Sequence, residues 1–365
     1  MEVKIPVYQP FIAGNEKKYV NECIDTNWIS SKGSFINRFE KSFAEYIGIN
    51  NAMTVTNGTT ALHLALRTLG ITAGDEVIVP TFTYIATISA VIYTGATPVF
   101  VDSLADTWQM DPSQIEKKIN KRTKAIIAVH LYGQPADMLT IRKIADEYKL
   151  YVIEDCAEAI GSRIENKHVG TFGDISAFSF YGNKTITTGE GGMLVTNNKI
   201  FYDRAYSLKM HCVSPVKEYW HTDIGYNYRM TNIAAAIGLA QLENIDEILA
   251  LKRRVVIAYN KYLEGLPISP HQEQMGTTHS YWMYSILVDR QDQRDALRNH
   301  LLEYGIETRP TFYPIHLMPM FNVKQGMFPV AEDISTRGIN LPSYPDLTEA
   351  DIQYISNAIS NFFRK

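Results

Sequence analysis

Apolar positions along the chain follow two spacings, one typical of buried strands and one typical of helices. Stretches with apolar residues three and four apart predict helices, as in "TYIATISAVIYTG" (83–95) and "DMLTIRKIADEYK" (137–149). Short apolar runs between them predict strands, at "GDEVIVP" (74–80), "TPVFVD" (97–102), "KAIIAVHLYG" (124–133) and "LYVIEDCAEAIG" (150–161). This alternation predicts an α/β fold with a mostly parallel central sheet flanked by helices.

The pattern changes near residue 231, where "TNIAAAIGLAQLENIDEILALKRRVVIAYNKYL" predicts a long helix that is bent or broken midway. A strand at 280–288, a helix at 292–305 and a strand at 307–313 follow it. A final amphipathic helix begins after Thr348, with Asp351 in position for a capping box. We therefore expect two domains, a large one at 1–245 and a smaller α/β domain at 246–365.

The composition excludes several classes of protein. The 365 residues carry a formal charge of −4, whereas a nucleic-acid-binding surface usually gives a basic excess. No apolar run reaches the roughly 20 residues that a membrane helix needs, and the first 20 residues do not resemble a signal peptide. The three cysteines, Cys23, Cys156 and Cys212, are too widely spaced for a zinc motif and fit a reducing compartment. We expect a cytoplasmic protein that binds neither nucleic acid, membrane nor metal.

A possible phosphate site lies in "TVTNGTTALHL", where a strand, a turn at Asn57-Gly58 and a helix follow one another. The first amides of a helix are unpaired and the helix dipole is positive there, so Gly58 and Thr59 could bind a phosphate. The alternative is that Asn57 or Thr59 simply caps the helix, as such residues commonly do. The local sequence alone favours the cap.

The segment "SFYGNKTITTGEGGMLV" (179–195) places Lys184 between an apolar run and a glycine-rich bend. The segment is not a Walker motif, because Asn183 stands where that motif requires glycine. It is not a dinucleotide-binding motif either, because Leu194 stands where that motif requires glycine. A partly buried lysine has a lowered pKa, and its neutral amine can form a Schiff base with an aldehyde. These features make Lys184 a candidate for covalent chemistry rather than a solvated surface charge.

Pyridoxal phosphate (PLP) is the aldehyde cofactor best known for this chemistry, and it needs four partners. Lys184 would supply the amine, and Asp155, at the end of the strand "YVIED", a carboxylate for the pyridinium nitrogen. Gly58 and Thr59, with Ser179, would hold the phosphate, and Tyr84 or Tyr132 would cover the ring. Each residue alone has an ordinary structural explanation, but together, in this order, they indicate a PLP site.

The chain also resembles the sugar aminotransferases of DegT/DnrJ/EryC1/StrS type, a family of fold-type-I PLP enzymes. The resemblance lies in "EDCAEAIG", "SFYGNKTITTGEGGMLVTN", "GYNYRMTN" and "RPTFYPIH". It implies that Lys184 and Asp155 are catalytic and that Tyr84 stacks on the ring. It also implies that Asn227 reaches the cofactor of a neighbouring subunit, and hence a homodimer with shared sites. A simple turn residue is the alternative for Asn227.

One position departs from the family pattern, since many relatives have glutamine where this chain has Glu158. A carboxylate beside the cofactor's ring oxygen would repel it unless a proton is shared, so we expect Glu158 to be protonated or to share a proton. The resemblance also implies that substrate lies near a dimer cleft. Candidate contacts are Trp28, Arg309, Tyr313 and His316, although a histidine such as His316 is more often a packed structural residue than a sugar ligand.

The family aminates nucleotide-linked keto-sugars, with glutamate as the expected donor. The matched segments favour members that act on GDP-4-keto-6-deoxymannose, in polysaccharide synthesis. A dTDP- or UDP-linked keto-sugar is the alternative substrate. A second alternative is a regulatory protein that kept the fold and lost the chemistry, against which Lys184 and Asp155 both argue.

Overall fold

The computed structural model describes residues 3–321 and 323–364. The strands are β1 Asn51–Val55, β2 Glu76–Pro80, β3 Thr97–Val101, β4 Thr123–Val129, β5 Tyr151–Asp155, β6 Arg163–Ile164, β7 Lys167–His168, β8 Ile175–Ser179, β9 Gly192–Thr196, β10 Ile268–Pro270, β11 Thr277–Thr278, β12 Tyr284–Val288, β13 Arg309–Pro310 and β14 Gly338–Leu341. The α-helices are α1 Glu16–Asp25, α2 Ser34–Ile47, α3 Gly58–Thr68, α4 Ile85–Tyr93, α5 Met138–Tyr148, α6 Lys199–Lys209, α7 Asn232–Glu243, α8 Ile245–Tyr262, α9 Gln291–Glu303, α10 Pro329–Arg337 and α11 Glu349–Phe363.

A seven-stranded sheet forms the centre of the larger part of the chain, in the order β1-β9-β8-β5-β4-β2-β3. The pairs from β3 through β2, β4 and β5 to β8 are parallel, whereas β9 runs antiparallel to both of its neighbours. The predicted α/β class with a mostly parallel sheet is confirmed. Because ligands bind beyond the carboxyl ends of parallel strands, this topology places the end of β5, at Asp155, on the binding edge.

An aromatic cluster holds the end of β8 against helix α2. Phe43 lies with its ring centroid 5.0 Å from Phe178 and 5.6 Å from Phe180, and Phe39 lies 5.3 Å from Phe180. All four rings are buried. Edge and tilted contacts of this kind add to the area that they bury. The packing therefore fixes the chain four residues before Lys184.

A second, four-stranded antiparallel sheet, β10-β12-β14-β13, forms in the C-terminal part of the chain. The long helical stretch is broken at Asn244, between α7 and α8. This break lies next to the predicted domain boundary at residue 245, which stays a proposal. One segment crosses that division, because Ile5 pairs with Ile306 and packs in the C-terminal core.

Helix caps follow the predicted signals at several places. Thr348 and Asp351 form the expected capping box of α11. The elements that are not among the sequence predictions are the helices α6 and α10 and the strands β6, β7, β10, β11 and β14. The start of α6 does carry a signal, since Asn198 caps it by accepting bonds from the amides of Ile200 and Phe201.

Across residues 3–321 and 323–364, none of the helices combines the length and the apolar character that crossing a membrane would require.

Candidate active site

A cavity of about 410 Å³ opens at the carboxyl edge of the central sheet. It collects residues from the start of α3, the end of β5, the end of β8 and the loop that follows β8. Seven of the eight predicted cofactor residues line it, namely Gly58, Thr59, Tyr84, Asp155, Glu158, Ser179 and Lys184. Residues separated by more than a hundred positions in sequence thus meet in one site.

Lys184 is held at the cavity by its backbone as well as by its side chain. Its amide donates to the carbonyl of Tyr181 over 2.9 Å, and its carbonyl accepts a 2.5 Å bond from the hydroxyl of Tyr8. Its Nζ lies 3.4 Å from Glu158 Oε1 and 3.9 Å from the ring centroid of Trp282. The amine therefore faces the cavity from a largely buried, well-defined position.

Asp155 ends β5 with its side chain buried at the base of the cavity. Thr87 Oγ1 donates to Oδ2 over 2.7 Å, and the amide of Ala157 donates to Oδ1 over 3.1 Å. Burial raises the pKa of this carboxyl, and the two hydrogen bonds oppose that rise. A cationic partner in the cavity would favour the ionised form, so the site is suited to a protonated ring nitrogen.

Glu158 is a second buried carboxyl of the cavity, and it contacts the Lys184 amine. Its Oε2 accepts a 2.8 Å bond from the amide of Tyr132, and its Oε1 faces Lys184. Burial raises the pKa of this carboxyl, while the charge of Lys184 acts in the opposite direction. The predicted shared proton is therefore in keeping with its surroundings and stays a prediction.

The phosphate end of the cavity is the N-terminus of α3. Asn57 accepts a 2.9 Å bond from the amide of Thr60, and the Thr60 hydroxyl completes the capping box. The capping box uses Asn57 and Thr60, so the amides of Gly58 and Thr59 are left without an intrahelical partner. A Cβ at Gly58 would lie 2.8 Å from Ser179 Cβ, so glycine is needed for α3 to approach β8 this closely.

The two tyrosines proposed to cover a ring differ in position. Tyr84 begins α4, lines the cavity and is 56% exposed. Tyr132 is fully buried and stacks on Trp282, with ring centroids 6.0 Å apart. Tyr84 is therefore the better placed of the two, and its role in covering a ring stays a prediction.

A second cavity of about 600 Å³ adjoins the first and shares Tyr84, Trp282 and Phe312 with it. Arg309 and Tyr313, two of the predicted substrate residues, line this second cavity. Arg309 forms an ion pair with Glu307 over 2.6 Å. The shared walls make the two cavities one continuous depression with a cofactor-sized inner part.

The remaining predicted residues lie elsewhere. His316 is fully buried, with its ring nitrogens 2.6 Å from Thr81 Oγ1 and 3.1 Å from Glu332 Oε1. It lines neither cavity, so the substrate role is corrected to that of a packed histidine. Trp28 is 55% exposed outside both cavities, and Asn227 is exposed and accepts a bond from Arg229 Nε. Their predicted roles need a second subunit and stay predictions.

The sequence prediction missed two residues of the site, Trp282 and Thr87. Trp282 occurs in "SYWMYSILV", which indicates only a strand, and Thr87 occurs in an otherwise apolar helix. Thr87 had a weak signal, since a threonine on an apolar helix needs a partner for its hydroxyl. Trp282 had no such signal, because it contacts a lysine that lies 98 positions earlier in the sequence.

One group of potential metal ligands is found in the described ranges, formed by His130, Glu154 and Cys156. His130 Nε2 lies 3.0 Å from Glu154 Oε2, and His130 Nδ1 accepts a bond from the amide of Ala136. The carboxylate also accepts bonds from the amides of Gly170, Phe172 and Gly173. These internal bonds account for the group as a structural network beneath the site.

Comparison with known proteins places the fold and site in a class. The sequence profile of the DegT/DnrJ/EryC1/StrS aminotransferase family matches residues 10–360, and the chain belongs to this family. It is 57% identical over 359 residues to GDP-perosamine synthase of Escherichia coli O157:H7, with 98% of each chain covered. It is 51% identical over 363 residues to GDP-perosamine synthase of Vibrio cholerae, covering 98% of this chain and 99% of that protein.

A solved structure of a similar protein has the same fold. The PLP-form of Spr1654 from Streptococcus pneumoniae superposes with a TM-score of 0.94 at 27% identity, covering 99% of this chain and 98% of that one.

Proposed function

We propose that this chain is a PLP-dependent aminotransferase that transfers the amino group of glutamate to C4 of GDP-4-keto-6-deoxymannose, forming GDP-perosamine. One observation carries the chemistry. A largely buried lysine, a buried carboxylate and the N-terminus of α3, whose Gly58 and Thr59 amides have no intrahelical partner, face one cavity. The choice of sugar nucleotide is supported by two full-length relatives that are named GDP-perosamine synthase.

The residues of the inner cavity fit PLP. The donors at Gly58, Thr59 and Ser179 are gathered where α3 begins, which suits a phosphate. Asp155 offers a carboxylate held in place by Thr87 and Ala157, which suits a pyridinium nitrogen. Lys184 offers the amine to the same cavity. Tyr84 lies at the rim, where an aromatic ring can cover a flat cofactor.

When bound, PLP supplies an electron sink that makes the hydrogen beside an amino group acidic. Lys184 Nζ, once it is not covalently bound, is the amine of the cavity that can accept this proton and return it. Asp155 keeps its negative charge toward the ring nitrogen. Glu158, 3.4 Å from Lys184 Nζ, is placed to exchange a proton with that amine.

The outer cavity is proposed to receive the sugar nucleotide. Arg309 supplies a guanidinium that suits a diphosphate, and Tyr313 supplies an exposed aromatic ring. The donor and the keto-sugar would use the site in turn, because Lys184 is the amine for both half-reactions. We further propose a homodimer in which Asn227 and Trp28 of each chain complete the other chain's site.

The test is to mix the purified protein with PLP, glutamate and one keto-sugar nucleotide at a time. We expect amination of the GDP-linked 4-keto sugar and little product from the dTDP- or UDP-linked sugars. Amination of one of the latter would change the substrate but keep the class. A protein whose PLP absorbance is not abolished by borohydride, and which aminates none of them, would be a non-catalytic member of the fold.

A further inference from the structure

The indole ring of Trp282 is a direct neighbour of the reactive amine. Lys184 Nζ lies 3.9 Å from the ring centroid, well inside the distance at which an aromatic face attracts a cation. The indole Nε1 donates a 2.6 Å hydrogen bond to the carbonyl of Asn183, the residue before Lys184. Trp282 thus contacts the side-chain amine of Lys184 directly and bonds the backbone of the residue before it.

Trp282 is itself held rigidly. Its amide donates to the carbonyl of Tyr132 over 3.0 Å, and the two rings stack at an angle of 9°. Its carbonyl accepts a 3.2 Å bond from Lys252 Nζ, which also bonds the carbonyl of Ser343. Only 4% of Trp282 is exposed. A residue held by Tyr132 and Lys252 can define a position for a flexible lysine side chain, which otherwise has many rotamers.

Glu158 is the second partner of the amine, but it cannot substitute for Trp282 as a partner whose attraction is independent of pH. Burial raises the pKa of Glu158, so its negative charge depends on pH and on the charge of Lys184 itself. The attraction of the indole face does not titrate. Asp155 and Glu190 are the other acidic groups of the cavity, and Asp155 is held by Thr87 and Ala157. The indole therefore gives the ammonium a partner at every pH at which the protein is folded.

Resting on the proposed function, we propose that Trp282 is a positioning residue for the reaction. It stabilises the protonated amine of Lys184 when that amine is not covalently bound, and it fixes the chain at Asn183 so that the amine returns to one place. Loss of the indole should make the amine lose its proton more readily and should loosen its position.

The experiment compares Trp282→Leu, Trp282→Phe and wild type, with Trp220→Phe as a matched control. Lys217 Nζ lies 3.7 Å from the ring centroid of Trp220, but 53% of Trp220 is exposed. Acetylation of Lys184 in the full-length, cofactor-free chain is quantified by mass spectrometry from pH 6 to 11. The midpoint of the plot of acetylation rate against pH reports the protonation of Lys184, and its plateau at high pH reports the access of the reagent to the amine. The two effects can therefore be separated.

We expect the midpoint for Trp282→Leu to move about 0.4 to 1.5 pH units lower, the range that follows from the usual strength of a cation–π contact. Trp282→Phe, which keeps a weaker aromatic face, should move less, and Trp220→Phe should not move it. In the cofactor-loaded protein, the pH profile of the half-reaction with glutamate should shift the same way.

An unchanged midpoint in both Trp282 variants would overturn the inference. If Trp282→Leu fails to fold, Trp282→Phe decides alone, and an unshifted midpoint there has the same consequence. The labelling uses neither glutamate nor a sugar nucleotide. A failure of the proposed function would therefore appear as missing product in wild type, whereas a failure of this inference would appear as active wild type with unshifted variants.

Discussion

The hydroxyl of Thr87 donates a 2.7 Å hydrogen bond to Asp155 Oδ2, linking the first turn of α4 to the end of β5. This bond holds the carboxylate in one orientation and favours its ionised form against the effect of burial. The position of Asp155 in the cavity is therefore set by a neighbouring helix as well as by its own strand.

Among substitutions of the residues that hold the cofactor ring, Asp155→Asn should reduce the rate of the cofactor-dependent reaction most. Losing a charge-assisted bond costs about 1.5–3 kcal/mol, so we expect about a 10- to 100-fold loss in kcat. Thr87→Val removes one neutral donor and should cost about 2- to 10-fold. Its deficit should grow as pH falls, because without the bond the raised pKa of Asp155 rises further. Steady-state rates with glutamate at several pH values check both.

Glu158→Gln should move the pH titration of the visible absorbance of the PLP-loaded protein to lower pH. The carboxylate faces Lys184 Nζ across 3.4 Å, and a negative charge there stabilises positive charge on that nitrogen. We expect a shift of up to about one pH unit. Glu303→Gln, an exposed change on α9, is the control. Superimposable titrations of Glu158→Gln and wild type would contradict the expectation that Glu158 shares a proton at the site.

Mixing two defective variants should restore activity if the sites are shared between subunits. Lys184→Ala lacks the amine, and Asn227→Ala lacks the proposed contact with the partner's cofactor. A mixed dimer would contain one intact site, so re-equilibrated equal mixtures should reach about 25% of wild-type activity. The activity of each variant alone is the baseline. If activity is not restored in a preparation shown to be dimeric, Asn227 does not contribute to the partner's site.

The elements that the sequence predicted are those whose signals are local. The strand, turn and helix around Asn57 and Gly58 appear as β1 and α3, and Asp155 lies at a strand end as expected. Hydrophobic periodicity determines such elements, and helix-capping residues determine where they begin. Lys184 could be selected because an unusual mixture of apolar residues and glycine surrounds it.

The contacts that the sequence did not predict depend on tertiary packing. His316 occurs in a segment that resembles the family, yet its side chain turns into a buried pocket between Thr81 and Glu332. Trp282 reaches Lys184 because the segment before β12 lies against the loop after β8, where the indole also bonds the carbonyl of Asn183. No periodicity encodes either orientation, since both depend on how the C-terminal part of the chain packs against the rest.

Gly192→Ala should destabilise the fold at the phosphate end of the site. A Cβ there would lie 2.6 Å from the carbonyl carbon and oxygen of Asn57 and 2.9 Å from the amide of Gly58, all backbone atoms. We expect about 1–3 kcal/mol less unfolding free energy, together with weaker PLP binding. Gly182→Ala, whose nearest neighbour would be 4.0 Å away, is the control for stability. Denaturant melts and a PLP titration measure the two effects.

Lys252→Met should flatten the pH dependence of stability between about pH 7 and 9. Lys252 is fully buried, and burial lowers its pKa to about 7, whereas an unfolded lysine has a pKa near 10.4. The unfolded state therefore binds more protons in this window, so wild-type stability rises with pH, by up to about 1.4 kcal/mol per unit. His279 nearby stays neutral, because burial lowers its pKa well below the usual value.

The measurement is the free energy of unfolding of wild type, Lys252→Met and the exposed control Lys261→Met at pH 7, 8 and 9. Wild type and the control should gain stability relative to Lys252→Met as pH rises, while the variant lacks this gain because methionine carries no proton to release. Parallel curves for wild type and Lys252→Met would mean that Lys252 remains charged in the folded protein, held by the carbonyls of Trp282 and Ser343.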